Sequence, residues 1–78
     1  MATPITATET QRAIYATFST LHYTDKVNQF SAVIATTKTH KVSPEDVVDA
    51  CDQVCFVDGI GSVDWDKDVY ALLPEEAN

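Results

Sequence analysis

Seventy-eight residues, 45% of them hydrophobic and including three Phe, three Tyr and one Trp, make one globular domain rather than a disordered chain. The net charge of −7 excludes direct binding to nucleic acid, whose phosphates attract Lys and Arg. No run approaches the roughly 18 apolar residues of a membrane span, and Met1 to Thr6 show no basic and apolar leader. The expectation is therefore a cytoplasmic protein that makes no membrane contact.

Residues 1–7 are Thr-rich and contain Pro4, which reads as a loose lead-in. Thr8 followed three residues later by Gln11 is a capping-box start, and Ile14, Phe18 and Leu21 recur on one helical face. The first helix is predicted over 8–22. His22 to Asp25 form a break, with Thr24 or Asp25 able to cap a second helix over 25–37, in which Val27, Phe30 and Ile34 share a face. The same stretch alternates as a strand, and its Ser, Val and Thr content suits that alternative.

Ser43-Pro44-Glu45-Asp46 is the clearest start signal in the chain. Ser caps, Pro occupies the first turn where its missing N–H is not needed, and the acids face the positive end of the helix dipole. A third helix follows over 44–56. Its inner face is Val47, Val48, Cys51, Val54 and Cys55, its outer face is Glu45, Asp46, Asp49 and Asp52, and Asp58-Gly59 ends it. Val63, Trp65, Val69, Leu72 and Leu73 then fit either a short helix begun at Ser62 or Asp64, or a hairpin with strands at 60–65 and 69–73. Pro74 closes that element, and residues 75–78 are expected to be loose. The fold class is all-α, a bundle of three helices plus a short C-terminal element. The alternative is α+β with strands near 27–36 and 60–73.

The charge is unevenly placed. Residues 1–41 carry Glu9 and Asp25 against Arg12, Lys26, Lys38 and Lys41, a net of +2. Residues 42–78 carry Glu45, Asp46, Asp49, Asp52, Asp58, Asp64, Asp66, Asp68, Glu75 and Glu76 against Lys67 alone, a net of −9. Two cysteines, Cys51 and Cys55, are too few for a disulfide framework. Four apart on a helix, they read as reduced core thiols.

Several chemistries fail on spacing. Asp64, Asp66 and Asp68 with Glu75 at the twelfth position have the ligand spacing of a calcium-binding loop. The sixth position, which needs a sharp turn, is Val69 rather than Gly, and Pro74 precedes Glu75. Cys51, Cys55, His22 and His40 suffice in number for zinc, but the two His lie far apart on different elements. The same residues compose a nucleophilic triad only on paper, because the thiols fall on the inward face where burial raises their pKa. Gly59-Ile60-Gly61 stops short of a phosphate-binding loop. No catalytic residue, metal or cofactor is expected. Helices at 25–37 and 44–56 could form a helix-turn-helix, yet the second would present Glu45, Asp46, Asp49 and Asp52 to DNA and be repelled.

The same carboxylates resemble a stretch of phosphates in charge. The leading expectation is a non-enzymatic binding protein or inhibitor whose acidic half engages a basic protein surface. Nucleic-acid mimics of this size and charge, encoded by phages and mobile elements, occupy the nucleic-acid-binding grooves of host proteins. Glu45, Asp46, Asp49, Asp52, Asp58, Asp64, Asp66 and Asp68 are the partner-binding candidates. Two alternatives stand beside it. One is a structural homodimer built on Tyr15, Tyr23, Trp65 and Tyr70; the other is a calcium-responsive module built on Asp64, Asp66 and Asp68.

Overall fold

A computed structural model describes residues 6–73, and among them the regular secondary structure is all helical. Its helices are α1 (Glu9–Ser19), α2 (Gln29–His40), α3 (Pro44–Asp58) and a single turn, α4 (Lys67–Tyr70). No strand occurs among the described residues, so the α+β alternative is overturned for both 27–36 and 60–73.

The α1 start follows the sequence signal. Thr8 Oγ1 accepts from the Gln11 amide at 3.0 Å, and Gln11 Oε1 accepts from the Thr8 amide at 2.9 Å. Ile14 and Phe18 are the α1 side chains that bury fully. Past Ser19 the helix does not break at His22 but widens into a π-helical turn over Thr20–Thr24, with the Asp25 amide donating to the Thr20 carbonyl at 2.9 Å. His22 stabilises the widened turn from both sides. Its ring stacks on Phe18 at 5.4 Å between centroids. Its Nδ1 lies 2.9 Å from the Val27 carbonyl; since a carbonyl only accepts, Nδ1 carries the proton.

The second helix starts later than its sequence suggests. Lys26 adopts φ 61°, a left-handed conformation that ends the turn, and Val27 donates back to the Leu21 carbonyl. Thr24 and Asp25 are thereby consumed by the preceding turn, and Asn28 is the cap, its Oδ1 accepting from the Ser31 amide at 2.8 Å. The inward face of α2 is wider than Val27, Phe30 and Ile34 and is centred on other residues. Gln29, Ala32, Val33 and Thr36 are the fully buried α2 residues, Val27 and Phe30 pack partly buried against the same core, and Ile34 is half-buried at its margin. Small side chains let three helices approach closely, and Thr36 hides its hydroxyl by donating to the Ala32 carbonyl at 2.7 Å.

For α3 the local signals suffice. Ser43 Oγ accepts from the Asp46 amide and Asp46 Oδ2 from the Ser43 amide, both at 3.2 Å. Gly59 at φ 65° ends the helix. Its amide donates to the Phe56 carbonyl and that of Ile60 to Cys55, the paired bonds of a left-handed C-cap. All five residues assigned to the inner face are buried. α1 lies across α3, with Arg12 reaching Asp58, and α2 packs on both.

Residues 60–66 follow an irregular path along the bundle. Gln29, 5% exposed, holds that path by donating from Nε2 to the Asp64 carbonyl at 3.0 Å and accepting at Oε1 from the Asp66 amide at 2.6 Å. Trp65 then lies 5.3 Å from the Phe18 ring. α4 begins after Asp66 rather than at Ser62 or Asp64, because Gln29 already engages the backbone on both sides of Trp65. Val69 is fully buried.

Candidate functional site

Glu45, Asp49 and Asp52 fall at i, i+4 and i+7 on α3, one line along a helix, and all three are exposed. The caps at Ser43 and Gly59 fix both ends of that line. Asp46 is exposed beside it, with its carboxylate held in the capping box. Crowding has an electrostatic signature: the Asp49 carboxyl is held above its ordinary range, first by partial burial and then by the charges of Asp52 and Asp46.

The acidic candidates do not all serve alike. Asp52 accepts from Trp65 Nε1 at 3.0 Å, so it tethers the C-terminal segment. Asp58 is paired. Arg12 grips it through two bonds of 3.0 and 3.1 Å, and the guanidinium draws the carboxyl below its usual range. Its charge is cancelled at that point, which removes Asp58 from the negative surface. Asp64 and Asp66 flank Trp65 and so follow the tether toward α3, with exposed side chains; Asp68 is exposed on α4. Sequence reasoning missed Arg12 and Gln29, the two residues that shape this surface. Their partners lie 46 and 35–37 residues away, and no local signal announces them.

The thiol and imidazole candidates are kept apart. Cys51 is fully buried and Cys55 nearly so, and both are free. Burial, then the neighbouring Cys55 and Asp52, pushes the Cys51 thiol up to about 12. Burial raises Cys55 as well, against a lowering hydrogen bond from Tyr15. His22 is engaged with Val27, and His40 Nε2 lies 2.8 Å from Thr17 Oγ1, so neither imidazole serves a thiol. Among the described residues no three His, Cys, Asp or Glu side chains converge to hold a metal, and Glu75 of the calcium-loop reading lies outside them.

These thiols make a direct prediction. At pH 8 iodoacetamide should alkylate Cys51 at least about 100-fold more slowly in the folded chain than in denaturant, because only the thiolate reacts and opening is rare. A folded-state pKa raised above the unfolded one gives stability that is full below the unfolded value. Here it is lost as pH rises from 9.0 toward about 12. Equal alkylation rates in the two states would refute the burial argument.

Of the aromatic candidates, Trp65 is buried and Tyr15 half-buried, whereas Tyr23 and Tyr70 are exposed. Two large apolar residues outside that set are also exposed, Phe56 by 65% and Ile60 by 56%. Phe56 continues the Glu45, Asp49, Asp52 line by one further turn. Open depressions mark the surface: one of about 320 Å³ between α1 and α3 is lined in part by Asp46 and Asp49, and one of about 480 Å³ lies between α1 and α2. No helix among the described residues is long and apolar enough to cross a membrane. Compared with protein-family models, curated proteins and solved structures, the chain shows no match.

Proposed function

We propose that this chain is a cytoplasmic, non-enzymatic binding protein whose acidic α3 face engages a basic protein surface, as an inhibitor that occupies a nucleic-acid-binding groove. The observation that supports it most is linear charge density. Glu45, Asp46, Asp49 and Asp52 span eight residues, seven steps and about 10 Å of helix axis. That is one carboxylate per ~3.5 Å, against ~3.4 Å per phosphate along one DNA strand. A rigid helix presents these charges with little ordering left to do on binding, which favours affinity and fast, steered encounter. Asp64, Asp66 and Asp68 extend the negative surface; Asp58, neutralised by Arg12, does not. Two buried reduced thiols suit a reducing compartment.

The structure also chooses the variant that tests this reading. Asp52→Lys would break the Trp65 bond and Asp46→Lys the capping box, so either would confuse folding with binding. Glu45 and Asp49 are exposed and make no side-chain bond among the described residues. The probe is host protein retained on a duplex-DNA resin. The wild-type chain should release a subset of it, less so as salt rises toward about 0.5 M. Glu45→Lys/Asp49→Lys should raise the chain concentration needed for release by ~100-fold or more. Release that ignores both salt and the double variant would overturn the proposal.

A further inference from the structure

The flank of α2 that carries Ile34 and Lys38 borders a concave surface, and Phe30, partly buried against the core, lines it as well. Ala16, Thr17, Thr20 and Leu21 of the first helix and its π turn face Ala35 and Thr39 of α2 across an open depression of about 480 Å³. A second depression of about 260 Å³ shares Ala35 and continues along Phe30, Ser31, Ile34 and Lys38. The walls are mostly small or apolar. Lys38 is the charged group among these lining residues, and no carboxylate lines either depression.

The same chain exposes two large apolar side chains that could fill such a surface. Phe56 and Ile60 flank the Gly59 turn and are 65% and 56% exposed. They form an apolar projection at the end of the Glu45, Asp49, Asp52 row. We propose that copies of this chain associate head to tail, the Phe56–Ile60 projection of one copy seated in the α1–α2 depression of the next. Lys38 of the receiving copy then faces the acidic row of the incoming one.

Charge selects this arrangement over the symmetric ones. A two-fold contact of projection on projection would press two acidic rows together, and like charges across an interface are strongly disfavoured. A two-fold contact of groove on groove would oppose the two Lys38 side chains and leave Phe56 in water. Head-to-tail contact alone buries the aromatic and pairs opposite charges. It is heterologous, so it does not saturate at a dimer. The patch is small, which makes a weak association, with Kd on the order of 10–100 µM. The contact consumes the acidic row, so self-association and the partner binding proposed above exclude each other. The test below uses the chain alone and holds whether or not that reading stands.

The measurement is sedimentation equilibrium on the full chain and on variants at exposed positions. Wild type should show a mass that rises with concentration beyond a dimer and falls with added salt. Phe56→Glu removes the projection and keeps the depression; Ala16→Glu blocks the depression and keeps the projection. Each alone should be monomeric, and an equimolar mixture should form a one-to-one heterodimer and stop there. Lys38→Glu is the second depression variant, and it should behave as Ala16→Glu does, again pairing with Phe56→Glu. Far-ultraviolet dichroism confirms that each variant is folded. Three results would each overturn the proposal: a wild-type chain that stays monomeric to about 1 mM, a single variant that still associates, or mixtures that remain monomeric.

Discussion

Phe18→Ala is expected to leave the chain without a cooperative fold at 25 °C. Phe18 is completely buried, and it sits at the meeting point of the elements. His22 stacks on it, Tyr23 meets its edge at 6.5 Å between centroids, and Trp65 packs against it from the C-terminal segment. Truncating a buried Phe to Ala costs about 3–5 kcal/mol. A single core in a chain this short rarely supplies more than about 3–5 kcal/mol of net stability, so the loss and the reserve are of equal size. Thermal and urea unfolding monitored by helix dichroism would show a broad, shallow transition in place of a cooperative one. Phe18→Leu keeps much of the volume and should cost about 1.5 kcal/mol or less, leaving a cooperative transition at lower temperature. If the Ala variant melts within a few degrees of wild type, the core does not centre on Phe18.

The contrast between what the residues announced and what they concealed has a physical basis. Thr8 with Gln11, Ser43 with Asp46, and Asp58-Gly59 are legible because each signal is a side chain satisfying backbone groups within a few residues. The α3 faces are legible for a related reason, since period and capping fix them together. The α2 boundaries are not, because lysines rather than glycines take the left-handed positions at Lys26 and Lys41. The centre of its inward face is not legible either: hydrophobicity points to Val27, Phe30 and Ile34, of which Val27 and Phe30 pack only partly against the core, whereas close approach of three helices favours Ala32 and Thr36.

The acidic row itself was visible in the sequence, but its division of labour was not. Asp52 is claimed by Trp65 thirteen residues on, and Asp58 by Arg12 46 residues back. Such long-range pairs leave no trace in periodicity. They matter for function because they separate carboxylates engaged in side-chain bonds from Glu45 and Asp49, which are exposed and make no such bond among the described residues.

Gln29→Ala is expected to release the C-terminal segment from the bundle while α1, α2 and α3 stay assembled. Gln29 is a buried polar side chain whose two polar ends are both used, one on the Asp64 carbonyl and one on the Asp66 amide. Removing it leaves those two backbone groups without a partner, a penalty of about 1–3 kcal/mol for a buried group. The segment need not accept that penalty, because it can swing into water and hydrate them. Trp65 would then leave Phe18 and Asp52, and the segment would lose its anchor on either side of the α4 start. Trp65 fluorescence should shift to the red, and hydrogen exchange at the Asp66 amide should quicken by about 10-fold or more, with little change in exchange within α3. Gln29→Glu separates bonding from packing, since it keeps the volume and the acceptor for the Asp66 amide. It replaces the donor with a carboxylate oxygen against the Asp64 carbonyl, beside the Asp64 and Asp66 charges, and should therefore release the segment at least as fully as Ala. A Glu variant with native Trp65 fluorescence would show that side-chain volume, and not the paired hydrogen bonds, holds residues 60–66 in place.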